Sequence, residues 1–137
     1  MSYMLDTNTC AFITKKDPAV LAAVKAHLKD GLFISTITLS EIEFGICNSA
    51  APVKYREALM KLLTVLAVLP YDGAAAATHG ILRADLKKRG CLIGNMDMLI
   101  AAHAKSCELT LVTNNIEEFQ RVQGLDIEDW KCGMSDR

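Results

Sequence analysis

The sequence lacks the features that mark disulfide-rich, zinc-binding and membrane proteins. It contains no Cys-x-x-Cys pair, and an odd cysteine count does not suit a closed disulfide framework. We therefore expect small, buried hydrophobic cysteines in a reducing cytosol. No apolar run approaches the roughly 20 residues of a membrane-spanning helix, and the N-terminus has no signal-peptide pattern. These absences predict a cytoplasmic protein. The cysteines are Cys10, Cys47, Cys91, Cys107 and Cys132.

An excess of charge of either sign is also missing. The formal net charge is −1, so the chain has no broad basic field of the kind that holds proteins on nucleic acid through phosphate contacts. A nucleic-acid partner stays compatible with this sum, because acidic metal ligands would offset local Lys and Arg. Apolar residues are abundant, at 51% of 137 residues, which is enough to fill one core. We expect one domain over residues 1–131 and a flexible tail over 132–137.

Alternating apolar patterns predict a parallel α/β fold. Strands are expected near residues 3–6, 32–35, 65–69 and 109–113, with an edge strand over 125–130. Helices are expected over residues 9–15, 18–29, 38–47, 55–63, 73–89, 96–105 and around 117–119. Strands that alternate with helices imply right-handed crossovers and a central parallel sheet of four to five strands, covered on both faces.

Four polar residues stand at the ends of these predicted elements. Asp6 follows the first strand, Glu41 and Asp97 lie in the first turns of two helices, and Asn115 follows the last strong strand. Ligand sites in parallel sheets gather at the carboxyl ends of the strands. If the four ends share one side, three carboxylates converge, which is unfavourable without a cation. Oxygen ligands, with no His or Cys at metal-ligand spacing, favour Mg²⁺ or Mn²⁺.

Each acid also has a purely structural interpretation. Asp6 is a common helix-capping residue, Glu41 fits a capping box with Thr38, and Asp97 suits the positive end of a helix dipole. Asp97 is the most informative of the three. It interrupts the otherwise apolar run 96–102, and a buried carboxylate is rare unless it is paired or metal-bound.

Four stretches of the chain together resemble the PIN-domain toxins of the VapC type. They are MLDTN (4–8), ISTITLSE (34–41), IGNMDMLIAAHA (93–104) and LVTNNIEEF (111–119). The resemblance implies an α/β/α sandwich and a Mg²⁺- or Mn²⁺-dependent endoribonuclease, the toxin of a type II toxin-antitoxin system, with a tRNA as candidate substrate. It also implies a homodimer and inhibition by a cognate VapB-type antitoxin. By position, Asp6, Glu41 and Asp97 match the metal-binding acids, and Thr7, Asn8 and Thr113 match polar residues around them.

Asn115 is the point of departure from this family, because many PIN domains carry a fourth acid there. Losing that charge weakens the case for a second tightly held metal ion. Glu118, one turn along, is a candidate replacement, although Asn115 and Glu118 also fit a capping box. A catalytically inactive PIN-like binding module is the alternative that Asn115 motivates. An aspartyl-phosphate phosphotransferase ranks lower, because the motif of that class has Asp and Thr where this chain has Asn8 and Cys10.

Three further features carry weaker predictions. His103 lies six residues after Asp97, about 240° around an ideal helix, and is predicted to be a packed or interfacial histidine. The run 87–89, Lys-Lys-Arg, is predicted to complement a helix C-terminus, with phosphate contact as the alternative. Apolar length over residues 53–63 and 96–104 predicts a surface for a partner.

Overall fold

A five-stranded parallel sheet organises the structure, a computed structural model that describes residues 1–131. The strands are β1 (Tyr3–Leu5), β2 (Leu32–Ser35), β3 (Ala67–Leu69), β4 (Thr110–Val112) and β5 (Ile127–Glu128). Their order across the sheet is β3-β2-β1-β4-β5, and each neighbouring pair is parallel. The predicted parallel sheet is confirmed, with β1 at its centre. The predicted tail over 132–137 lies outside the described residues.

Helices connect successive strands and cover both faces of the sheet. Within residues 1–131 they are α1 (Thr7–Thr14), α2 (Pro18–Ala26), α3 (Thr36–Cys47), α4 (Pro52–Leu62), α5 (Gly73–Lys88), α6 (Asn95–Ser106) and α7 (Ile116–Phe119). Helix α2 ends three residues earlier than predicted, and α4 starts three residues earlier, with Pro52 in its first turn. Proline suits that position because its missing N–H has no intrahelical partner there.

The pleat of β1 divides the core into two layers. Tyr3 and Leu5 are buried on one face of the sheet, and Met4 is buried on the other. Successive strand residues point to opposite faces, so a central strand covered on both sides is apolar throughout. The first layer includes Cys10, Val20 and Leu59 from α1, α2 and α4. The second includes Leu86, Ile100 and Phe119 from α5, α6 and α7. The predicted α/β/α sandwich is therefore confirmed.

The start of α3 differs from its prediction. The helix begins at Thr36, and Ser35, the last residue of β2, caps it by accepting a hydrogen bond from the Ile37 N–H to its Oγ at 3.0 Å. Thr38 is buried inside the helix. The predicted capping box between Thr38 and Glu41 is therefore wrong, and Glu41 lies in the second turn.

The cysteine prediction holds for one described residue and fails for others. Cys10 is buried, whereas Cys47 and Cys107 are exposed.

The two segments predicted to form a partner surface differ in exposure. Residues 100–104 of α6 are buried in this chain's own core, whereas Val53 and Met60 of α4 are 72% and 65% exposed. Across residues 1–131, we find no helix with the length and apolarity needed to cross a membrane.

Candidate active site

Asp6 stands where β1 passes into α1, and its two carboxylate oxygens have different partners. Oδ1 accepts the Thr9 N–H at 2.8 Å and so caps α1. Oδ2 accepts the Thr113 hydroxyl at 2.6 Å from the end of the adjacent strand β4. Capping of α1 therefore uses Oδ1 alone, and Oδ2 is turned toward the end of β4. Asp6 is only 4% exposed.

Glu41 reaches the same region from α3. Its Oε1 accepts the Thr7 hydroxyl at 2.5 Å, and Thr7 is the first residue of α1. Because Ser35 performs the capping of α3, the Glu41 carboxylate has no capping role. The negative charge of Glu41 contributes to raising the pKa of Asp6, after burial as the largest cause.

Asp97 approaches from the first turn of α6. Burial raises its pKa to about 6, with further contributions from the charges of Glu118, Asp6 and Glu41 and from a hydrogen bond with Glu118. Gly94 in the turn before it leaves room for this carboxylate, since a Cβ there would lie 3.1 Å from Asp97 Oδ2. Asp97 is therefore the acid that lies near all three of the others, Glu118, Asp6 and Glu41.

The Asn115 side chain lies beside one of the acids, Glu118. Asn115 is the N-cap residue of α7 but makes no side-chain capping bond. Its Nδ2 instead donates to Glu118 Oε2 at 2.7 Å, and its backbone N–H donates to Thr113 Oγ1 at 3.0 Å. The predicted capping box is therefore absent, and the amide positions the carboxylate of Glu118 beside Asp97.

Burial and neighbouring negative charge raise the pKa of two of the acids, Asp6 and Asp97. Burial is the largest cause of the raised pKa of Asp6, opposed by the hydrogen bonds from Thr113 and Thr9. Four carboxylates from α1, α3, α6 and α7 thus share one edge of the sheet. Like charges at close range destabilise the ionised forms, and a cation would relieve them.

The donor chemistry fits Mg²⁺ or Mn²⁺, because the converging groups are carboxylate oxygens. In the conformations present, however, no three His, Cys, Asp or Glu side chains of residues 1–131 are close enough together to hold an ion. Asp6 and Glu41 are each held by a threonine hydroxyl. The residues therefore fit the metal by the type of their oxygen ligands.

The remaining predicted residues divide between this edge and other places. Asn8 is exposed on α1. His103 is buried, as predicted, and contacts Ser35 rather than the acids. Arg89 donates to Asp85 and to the Arg121 carbonyl, so its guanidinium is committed to local contacts.

A groove of about 550 Å³ begins at the acidic edge and runs between α1, α3 and α4. Its lining includes Thr7 and Glu41 at the acidic edge and apolar side chains further along. The apolar lining comprises Cys10, Ala11, Ile42, Ile46, Ala58, Leu59 and Leu62. Lys15 and Lys54 also line it. The groove therefore combines an acidic edge, an apolar surface and cationic side chains.

Comparison with known proteins gives matches along nearly the whole chain. Residues 3–125 match the PIN domain family. The chain is 40% identical to the tRNA(fMet)-specific endonuclease VapC of Salmonella typhimurium over 95% of this chain and 98% of that protein. It is 36% identical to ribonuclease VapC2 of Rickettsia felis, with the same coverage of both chains.

Solved structures agree with this relationship. The VapBC2 complex of Rickettsia felis bound to a promoter DNA fragment contains a chain that superposes with a TM-score of 0.91, at 35% identity, over 95% of this chain and 99% of that one. DNA-bound VapBC of Salmonella typhimurium gives a TM-score of 0.90 at 40% identity, over 95% and 98% of the two chains.

Proposed function

Because this chain belongs to the PIN-domain family, and within it to the VapC ribonucleases, we propose that it is a toxin that hydrolyses RNA with Mg²⁺ or Mn²⁺ as cofactor. The observation that carries this proposal is the convergence of Asp6, Glu41 and Glu118 on Asp97, whose pKa rises to about 6. Glu118, which lies beside Asp97, would supply the carboxylate that Asn115 lacks, and this favours the nuclease over the binding-module alternative.

Asp6, Glu41 and Asp97 are the residues that would hold the cation. When bound, it would supply activation of water and neutralisation of charge that develops on the phosphate. The chain's own polar groups set the acids in place. Thr113 holds Asp6, and Thr7 holds Glu41. Such hydrogen bonds to ligand side chains fix their orientation and commonly matter for metal affinity.

Glu118 has a supporting place in this proposal. It is held by the Asn115 amide and lies against Asp97. Its negative charge would strengthen the attraction of the edge for a cation, directly or through water. A second ion, if present, would be bound weakly and largely through RNA phosphate oxygens, as Mg²⁺ often is.

The substrate that we propose is a tRNA, because a relative with 40% identity is named as specific for tRNA(fMet). Exposed basic residues would suit a phosphate backbone. Lys87 and Lys88, in the last turn of α5, are exposed and are our candidates for phosphate contacts.

The test is to incubate antitoxin-free protein with tRNA(fMet) and with total cellular RNA, and to map the cleaved ends. Cleavage that requires Mn²⁺ or Mg²⁺ and disappears in Asp6→Asn is the expected result. Cleavage that persists in a chelator, or equally in the variant, would contradict the metal proposal. A folded wild-type protein that cuts no RNA would contradict the enzyme proposal.

We also propose that the groove beside the acids receives a VapB-type antitoxin. Support comes from the solved structures of related chains, which are VapBC complexes, and from the composition of the groove itself. An antitoxin segment that fits it has apolar side chains toward Ile46 and Leu59, and acidic side chains toward Lys15 and Lys54. At the Glu41 end we expect an arginine, because its planar fork pairs with carboxylates and competes with a cation.

A further inference from the structure

A buried hydrogen bond joins the two helices that carry Glu41 and Asp97. His103 Nδ1 lies 2.7 Å from Ser35 Oγ, and the two residues are 1% and 0% exposed. Ser35 caps α3, which carries Glu41, whereas His103 lies in α6, which carries Asp97. The bond therefore links the start of one acid-bearing helix to the body of the other.

The surroundings of His103 make this bond conspicuous. Ile100, Ala102 and Ala104 around it in α6 are all 0% exposed, and a polar group in such a place is costly unless it is hydrogen-bonded. Burial lowers the pKa of His103, so the ring is neutral at pH 7. The pair is a neutral contact, and an apolar side chain of similar size could fill the same space.

A second contact fixes the start of α3 from another direction. The Tyr71 N–H, just after β3, donates to Thr36 Oγ1 at 3.1 Å. The Tyr71 ring also meets the His103 ring edge-on, with 5.5 Å between ring centroids. Three segments, from β2 to α3, from β3 to α5 and in α6, thus meet at one polar point inside the core.

We propose that His103 is a positioning residue that acts through Ser35, holding α3 and α6 in the register that brings Glu41 and Asp97 to the same edge. Small apolar residues such as those of α6 pack without a strong preference for one register, whereas a hydrogen bond has a direction and a length. His103 itself lies about 9 Å along the helix from Asp97 and touches none of the acids' carboxylates. This inference rests on the proposed metal-dependent function.

Two matched substitutions separate hydrogen bonding from packing. In His103→Asn the amide nitrogen and oxygen are bonded to Cγ, as Nδ1 is in histidine. They can therefore occupy the place of Nδ1 and form the hydrogen bond to Ser35. In His103→Gln the amide lies one bond further out, at the position of Nε2, so the bond is lost although the side chain stays polar. Ser35→Ala removes the other partner.

The measurement is Mn²⁺ binding by calorimetry with purified, antitoxin-free protein. We expect Ser35→Ala and His103→Gln to bind Mn²⁺ about tenfold more weakly, the scale seen when groups that orient ligands are lost. His103→Asn should stay within about twofold of wild type, and the double variant Ser35→Ala/His103→Gln should be no weaker than either single change. In cleavage assays the Mn²⁺ concentration for half-maximal rate should rise by the same factor, with the rate restored at high Mn²⁺.

Val20→Ala is the control for general destabilisation, because Val20 is fully buried in α2. It should lower the melting temperature and leave the Mn²⁺ affinity unchanged. Wild-type affinity in both Ser35→Ala and His103→Gln would overturn the positioning role, as would an equal loss of affinity in Val20→Ala. If the wild type binds no Mn²⁺, the function proposal fails instead. Crystal structures then decide the positioning role, which requires α3 to shift against α6 in His103→Gln and not in His103→Asn.

Discussion

At the scale of single residues, Asp6 combines two duties that a substitution can separate. Asp6→Asn keeps an oxygen that can accept the Thr9 N–H and so preserves the cap of α1. It removes the charge that would bind the cation. We expect loss of RNA cleavage with a melting temperature within a few degrees of wild type, measured by a cleavage assay and thermal denaturation. Growth arrest at wild-type expression would contradict the assigned role.

Asp97 should make the metal-free protein less stable as the pH rises. Its pKa is about 6 in the folded protein against 3.8 for a free side chain. Between these values the folded protein keeps a proton that the unfolded chain has released, so the free energy of unfolding falls with rising pH. Because Asp97 is half exposed, we expect a change on the order of 1 kcal/mol rather than the full value of the shift.

Thermal denaturation in chelator from pH 4 to 7.5 measures this effect. Asp97→Asn should flatten the pH dependence and raise the melting temperature at pH 7.5. Asp126→Asn, at an exposed aspartate, is the control and should follow the wild type. A lower melting temperature for Asp97→Asn without metal would instead assign Asp97 a structural role.

Asn115 and Glu118 make separable contributions to the acidic edge. Glu118→Gln removes a charge beside Asp97, whereas Asn115→Ala removes only the amide that holds Glu118. We expect Glu118→Gln to weaken Mn²⁺ binding more than Asn115→Ala, since water can replace an amide but cannot replace a charge. Asn115→Asp should bind Mn²⁺ more tightly than wild type, as an added acid in the same shape.

Calorimetric titration of these three variants, with a cleavage assay over a range of Mn²⁺, compares them directly. All three should cost less activity than Asp6→Asn. An Asn115→Ala variant weaker than Glu118→Gln would show that the amide, rather than the carboxylate, serves the site.

At the scale of secondary-structure elements, the sequence predicts types better than boundaries. β1 and β4 are short apolar runs that end in polar residues, and both were located by that pattern. The start of α3 was not, because Ser35 and Thr38 are both followed by potential capping partners, and a strand that passes into a helix without a loop leaves no turn residues to mark the boundary. The contact between Asn115 and Glu118 was not predictable as a side-chain hydrogen bond for a different reason. The side-chain direction of Asn115 depends on Glu118 and on the packing of α7 against α6, which local sequence does not encode.

The groove between α1, α3 and α4 can be blocked from within α3. Gly45 lines it, and a Cβ at that position would meet no heavy atom within 4 Å. Gly45→Leu should therefore fill the groove without straining the fold, and the added helix propensity should stabilise α3 by about 1 kcal/mol. We expect antitoxin affinity to fall at least tenfold while RNA cleavage by the free protein persists.

Cys47→Leu is the matched control, because it adds an apolar side chain to the same helix about 200° away from Gly45. It should leave antitoxin binding unchanged in a pull-down or calorimetric titration. Equal binding by both leucine variants would place the antitoxin elsewhere.

At the scale of the whole molecule, exposed apolar side chains on the pair α5 and α6 suit a second copy of this chain. Ile81 of α5 is 74% exposed and Met96 of α6 is 45% exposed. We expect a homodimer in solution, and Ile81→Asp should convert it to a monomer, because a charge would be buried in the interface. Val53→Asp, at a similarly exposed position on α4, should leave the dimer intact. Light scattering at micromolar concentration distinguishes these results, and a monomeric wild type would remove the dimer proposal.

The hydrogen bond between Asp6 and Thr113 spans 107 positions of the chain, which orders events during synthesis. At about 5–20 residues per second, Thr113 leaves the ribosome's catalytic centre roughly 5–20 s after Asp6. All residues that line the groove lie within the first 62, whereas Asp97 and Glu118 are made later. A nascent chain therefore carries the whole sequence of the groove before it carries the acids that complete the nuclease. If the groove receives the antitoxin, as we propose, an antitoxin already present in the cell would meet its binding segments on a chain that cannot yet cut RNA.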